Sequence, residues 1–180
     1  EAAAVIAEGI TFVDGATGDD ANPGTAEEPK ATVQGGVDGV QTSSRLHSMA
    51  WPDGEARRVV YVQASDGAYA GAIVTAPDIA LLGSGVAIPG FGGKAFGGGA
   101  RPLVRGTGEG IRVNASADGT AIAGFEITTD GGGTGIFSGS GKVQVVDNVI
   151  RDNQRGVLLL SDGEFDSIIE GNRLADNAMA

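Results

Sequence analysis

Val145-Val146-Asp147-Asn148-Val149-Ile150-Arg151-Asp152-Asn153 aligns without a gap on two other stretches of the chain. One is Ile122-Ala123-Gly124-Phe125-Glu126-Ile127-Thr128-Thr129-Asp130, 23 residues earlier; the other is Ile169-Glu170-Gly171-Asn172-Arg173-Leu174-Ala175-Asp176-Asn177, 24 residues later. Ile122, Val145 and Ile169 recur in register, and so do Ile127, Ile150 and Leu174. A second mark, Gly before a β-branched residue, returns at Gly110-Ile111, Gly135-Ile136 and Gly156-Val157. Such a period, with short apolar runs punctuated by Gly, Asn and Asp, is one coil of a β-solenoid. A single coil cannot bury its inward face, so coils stack and their inward residues form columns. The fold class read from this repeat is all-β: a right-handed parallel β-helix.

Composition agrees. Gly reaches 32 of 180 residues and aromatics only 5%, which would suggest disorder if the apolar residues were scattered. They cluster instead in runs such as Val59-Val60-Tyr61-Val62 and Val143-Gln144-Val145-Val146. The length suits one domain over 1–180, with the strand, loop and cap helix in 1–57 and about five coils in 58–180.

A net charge of −11 with no basic cluster larger than Arg57-Arg58 argues against nucleic acid and anionic membrane surfaces as partners. There is no Cys, which removes disulfides and thiolate chemistry, and no run apolar and long enough to span a membrane. The Ala-rich start at Glu1 reads as a processed N-terminus. Nine Arg against three Lys is the bias expected of a GC-rich bacterial source.

Toward the front, Thr11-Phe12-Val13 reads as a strand and Asp14 to Pro29 as a polar loop. Val33, Val37 and Val40 share one helical face, which predicts an amphipathic helix over Thr32 to Val40 that caps the first coil. Gly35, Gly36 and Gly39 weaken that helix by about 1 kcal/mol each relative to Ala, so it must rely on packing.

Asp20-Ala21-Asn22-Pro23-Gly24-Thr25, then Pro29-Lys30-Ala31-Thr32-Val33-Gln34 and Val37-Asp38, resembles the N-terminal signature of secreted pectate-lyase-like β-helix proteins. Arg58 to Val62, Gly67 to Tyr69, Ile73 to Thr75 and Ile79 to Gly83 resemble their first coil. The later Asn-marked coils are similar to the repeats of the carbohydrate-binding and sugar-hydrolase group of β-helices. The resemblance covers nearly the whole chain except roughly Val86 to Arg105, where Gly90 to Gly99 reads as a loop leaving a coil. It implies a secreted or cell-surface protein concerned with polysaccharide. It fixes no activity, because this scaffold hosts lyases, hydrolases, epimerases and inert surface proteins.

Candidate residues follow from the repeat. Asn148 with Asn172, and Asn153 with Asn177, occupy equivalent turn positions. They read as hydrogen-bonded structural ladders, with sugar-binding amides as the alternative. Asp152 and Asp176 are equivalent too, and Asp130 and Asp147 sit in neighbouring turns. Asp130, Asp147 and Asp176 are therefore candidate calcium or glycan contacts, against solvated turn carboxylates. The resemblance implies a basic residue on a coil face as the proton acceptor of a lyase. Arg151, with Asp152 and Arg155 beside it, is the catalytic candidate on that ground.

A hydrolase needs two carboxylates on one face, for which Asp147 with Asp152, or Asp162 with Asp166, are the candidates. Asp14 to Gly24 has the composition of a calcium loop without its spacing and reads as a cap loop. His47, the single His, reads with Trp51 as loop packing, and Tyr61 and Tyr69 as partly buried.

Two functions follow. One is a non-catalytic extracellular module with a structural, adhesive or glycan-contacting role. The other is a lyase acting on acidic polysaccharide with calcium. At the C-terminal end, further coils, a partner chain or self-association are expected to cover the last coil.

Overall fold

The computed structural model describes residues 10–41, 54–86, 98–161 and 163–179. His47, Trp51, Asp162, the Ala-rich lead-in and most of Gly90 to Gly99 lie outside them.

The repeat becomes a stack of coils. The first holds strands β2 (Arg58–Val62), β3 (Tyr69–Ala70) and β4 (Ala72–Val74), and the second β5 (Ile79–Gly83), β6 (Leu103–Gly106) and β7 (Glu109–Val113). The third holds β8 (Thr120–Ala123), β9 (Glu126–Thr129) and β10 (Thr134–Ser138), and the fourth β11 (Val143–Val146), β12 (Val149–Arg151) and β13 (Arg155–Leu159). β14 (Ile168–Glu170) and β15 (Arg173–Ala175) open a further turn. With β1 (Ile10–Val13), these strands form three sheets: β1-β2-β5-β8-β11-β14, β15-β12-β9-β6-β3 and β13-β10-β7-β4. Every pairing is parallel, so the molecule is a parallel β-solenoid.

The register reproduces the sequence alignment. Val60, Leu81, Ile122, Val145 and Ile169 stack as one inward column. Tyr69, Val104, Ile127, Ile150 and Leu174 form a second, and Ala72, Ile111, Ile136 and Val157 a third. Inside the stack these side chains are sealed from water as far as Val145 and Ile150, with Val157 half-buried and Ile169 and Leu174 of the last turn exposed; this aliphatic burial stabilises a solenoid. The Gly of the second mark has a packing reason. A Cβ on Gly135 would lie 2.6 Å from the Ile150 side chain and 2.7 Å from the Gly156 carbonyl, so the backbone must pass the next coil's core residue closely.

The capping helix, α1, spans Val33–Gln41 and buries Val33, Val37 and Val40 against the first coil, as its periodicity predicts. Thr32 is its N-cap: its Oγ1 accepts the Gly35 N–H at 2.9 Å. Asp20 holds that end from the preceding loop, accepting the N–H groups of Ala31 and Thr32 at 3.0 and 2.9 Å and the Thr32 hydroxyl at 2.7 Å. Asp14 likewise accepts Ala16 N–H and the Thr17 hydroxyl, and Asp19 accepts Ala21 N–H. The acidic loop is thus a cap loop whose carboxylates hold its own turns. At Gly36 a Cβ would meet Val13 at 2.5 Å and Val60 at 2.7 Å, so the residue that weakens the helix also lets it reach the sheet.

A second apolar cluster was not read from the repeat. Val59, Tyr61, Ala80, Leu82, Ala121 and Ala123 form it on the outward side of the six-stranded sheet, and all are buried. Runs such as Val59 to Val62 and Ile79 to Leu82 are apolar at every position because both of their faces are covered.

Candidate functional site

Both Asn ladders form. Asn148 donates through Nδ2 to Ile122 O and to Asn172 Oδ1, at 2.9 and 3.0 Å, and its backbone N–H reaches the same Asn172 oxygen at 3.0 Å. Asn153 repeats this with Asn177, through N–H at 3.1 Å and Nδ2 at 2.9 Å. Both Asn148 and Asn153 are buried, so these amides are consumed by the scaffold. Where the ladder runs out of Asn, other residues close it. Phe125 N–H donates to Asn148 Oδ1, and the Thr129 hydroxyl to Asn153 Oδ1.

The Asp residues mark corners. Asp147, Asp152 and Asp176 have φ of 52°, 58° and 54°, left-handed turn conformations that Asp tolerates better than most residues. Asp147 lies between β11 and β12, whereas Asp152 and Asp176 lie at the next corner, after β12 and β15. The hydrolase pair Asp147 and Asp152 is thus carried on two different corners, with β12 between them. Asp130 is exposed and pairs with Arg105 at 3.8 Å. Among the described residues, no three His or acidic side chains converge to hold a metal, and Asp130, Asp147 and Asp176 do not fit the six or more oxygens of calcium.

Arg151 faces outward, as its alternation with Ile150 predicts. It is tied to two carboxylates. Nε donates to Glu126 Oε1 at 2.7 Å, Nη2 donates to the same oxygen, and Nη1 donates to Asp152 Oδ2. The hydrogen bonds it donates to Glu126 and then to Asp152 push the guanidinium above its ordinary range, outweighing its slight burial. Glu126 was missed by sequence reasoning; it stands beside Val149 in the strand register, which brings it to Arg151 from 25 residues away. Arg155 is exposed at the start of β13.

Beside this cluster the corner opens into a shallow depression of about 800 Å³, lined by Gly131, Gly132, Asp152, Asn153, Gln154, Asp176, Asn177 and Ala178. It collects Asp152, Asp176, Asn153 and Asn177 from the predicted set and leaves Asp147 outside. Because the ladders use Asn153 and Asn177, the groups turned to a ligand are Asp152, Gln154, Asp176 and the glycine backbone. Tyr61 and Tyr69 are buried, and Tyr69 bonds Gly15 N–H and Gln63 O through its hydroxyl, so neither offers a stacking platform.

No protein-family model matches the chain, and no curated protein matches it. Among solved structures it is similar to the GH136 lacto-N-biosidase from Eubacterium ramulus, with a TM-score of 0.61 at 14% sequence identity. That likeness is to the fold alone. It covers 93% of this chain and 34% of the enzyme, so the chain spans about a third of that protein's length. Among the described residues no helix is long and apolar enough to cross a membrane.

Proposed function

We propose that this protein is an extracellular carbohydrate-contacting module that holds neutral glycan in the corner depression without cleaving it. The observation that carries this reading is the lining of the depression. It offers a free amide, two carboxylates and bare glycine backbone, which suit the hydroxyls of a sugar. Asp152 and Asp176, on a chain of net charge −11, disfavour a uronate there. The carbohydrate-active structural neighbour is compatible with a glycan ligand.

The lyase reading fits less well. A proton acceptor must shed its own proton, and Arg151 is held protonated by Glu126 and Asp152. Calcium has no converging ligand set among the described residues. Arg151 acts here as a tether that fixes Asp152 at the rim.

A panel of neutral and acidic polysaccharides, with calcium and with chelator, tests this by recording bound protein and the ultraviolet absorbance of unsaturated uronate. Neutral glycans bind irrespective of calcium, without product, and Gln154→Ala and Asp176→Asn weaken binding several-fold. Calcium-dependent product lost in Arg151→Ala would overturn the reading in favour of a lyase. No binding to any glycan would leave a structural rod.

A further inference from the structure

Five Asp-Gly dipeptides lie within the described residues, and the fold holds three of them shut. The Asp14 carboxylate accepts Ala16 N–H and the Thr17 hydroxyl at 2.9 and 2.8 Å, while Gly15 N–H donates to the Tyr69 hydroxyl at 2.7 Å. Asp118 accepts the Ser140 hydroxyl at 2.6 Å, and Gly119 N–H donates to Lys142 O at 2.9 Å. Asp38-Gly39 lies inside α1, where the Asp38 carboxylate accepts the Gln34 amide at 2.9 Å.

Asp130-Gly131 is held at neither group. Among the described residues the Asp130 carboxylate accepts no hydrogen bond and Gly131 N–H finds no acceptor. Arg105 pairs with Asp130 at 3.8 Å, but both side chains are more than half exposed, and such a surface pair restrains little. The cause is the length of the corner. Two residues join β6 to β7, whereas four, Asp130 to Gly133, join β9 to β10. The ends of the longer corner are pinned, Asp130 N–H to Gly106 O at 2.8 Å and Gly133 N–H to the Thr129 hydroxyl at 3.0 Å. Gly131 and Gly132 loop out between them with φ of 77° and 99°, and no atom comes within 4 Å of where a Gly131 Cβ would stand. Asp66-Gly67 is likewise unbonded at both groups, but it lies outside the corner depression.

We propose that Asp130-Gly131 is a site of spontaneous backbone isomerisation, and that isoaspartate there disables the corner depression. The Gly131 nitrogen attacks Asp130 Cγ. The protonated carboxyl loses its OH, together with the amide proton, as water, and a succinimide ring closes. Water then adds at the carbonyl on the Cα side and breaks its bond to nitrogen. The chain now runs through Cβ and Cγ, one methylene longer, with the carboxylate left on Cα. Gly131 and Gly132 line the depression, so the lengthened lip displaces them. The effect on a ligand rests on the glycan-binding reading; the chemistry stands apart from it.

The test incubates the folded 180-residue chain for several weeks at 37 °C and neutral pH, with a parallel sample in urea. Peptide mapping that separates isoaspartate from aspartate follows each dipeptide, and binding of neutral oligosaccharide is measured on the same samples. In the folded chain isoaspartate accumulates at Asp130, as at Asp66, at a rate close to that in urea. At Asp14 and Asp118 it forms at least about tenfold more slowly, since two or more hydrogen bonds must open first. In urea the four rates converge. Binding declines in step with isomerisation at Asp130; Asp130→Glu preserves it and Asp66→Glu does not. Isoaspartate forming at Asp130 no faster than at Asp14 and Asp118 in the folded chain overturns the proposal. Undiminished binding by a sample isomerised at Asp130 overturns its second half, and no glycan binding by the fresh protein overturns the glycan reading alone.

Discussion

The side-chain oxygen of Asn148 accepts the backbone N–H of Phe125, one coil earlier, at 3.1 Å. Strand pairing cannot satisfy a donor at a corner, so a side chain from the next coil does it. The same amide is bonded to Ile122 O and Asn172 Oδ1, which makes Asn148 a clamp across three turns. Asn148→Ala strands several buried polar groups and is expected to cost about 2–3 kcal/mol, or roughly 5–10 °C in melting temperature. Asn172→Ala, at a partly exposed position, should cost clearly less. Thermal unfolding of both variants checks the order.

Gln144 is 2% exposed, and neither polar atom of its amide has a hydrogen-bond partner among the described residues. It sits between Ala121 and Ile168 in the strand register. An unpaired buried amide is a net cost, so Gln144→Leu should raise stability by about 1–2 kcal/mol, seen as a higher denaturant midpoint at unchanged slope.

Gly135→Ala should do the reverse. Its Cβ would run into Ile150 and the Gly156 backbone, and overpacking of this kind costs about 1–3 kcal/mol. The double variant Gly135→Ala/Ile150→Val should be no more stable than the single one, because valine keeps the γ carbon that the new Cβ meets. Urea unfolding of the single and double variants checks this.

Acid should loosen the N-terminal cap. Burial pulls the Asp20 carboxyl upward, but hydrogen bonds from Thr32 and Ala31, with the charge of Lys30, outweigh it and leave the group below its ordinary value. A depressed carboxyl contributes stability that is full above the unfolded pKa, near 4, and is lost as pH falls through the folded one. Asp20→Asn should therefore flatten the loss of stability below about pH 4, and the difference between wild type and variant should vanish in strong acid. Melting curves from pH 6 to pH 2 test the sign.

The parts legible in the sequence were those that repeat. Ile122, Val145 and Ile169 fall in one column, and the Asn pairs in ladders, because a stacked coil turns sequence period directly into contact. Contacts that occur once left no such trace. Glu126 reaches Arg151 through the register of two strands, and nothing in its own neighbourhood announces a partner 25 residues on. The outward cluster around Val59 and Leu82 was hidden for a different reason. A fully apolar strand looks alike whether one face or both are covered. The depression at Asp152 and Asp176 was half legible: the equivalence of the two Asp was visible, but not that the ladders had already used Asn153 and Asn177.

Binding of neutral glycan in the corner depression is tested by titrating neutral oligosaccharides into isotope-labelled protein and mapping amide shifts by nuclear magnetic resonance. Saturable shifts are expected at Gly131, Gly132, Gln154, Asp176 and Ala178, with the interior ladder amides of Asn148 and Phe125 unmoved. Shifts gathered on another face, or none at concentrations that saturate ordinary glycan-binding modules, would contradict it.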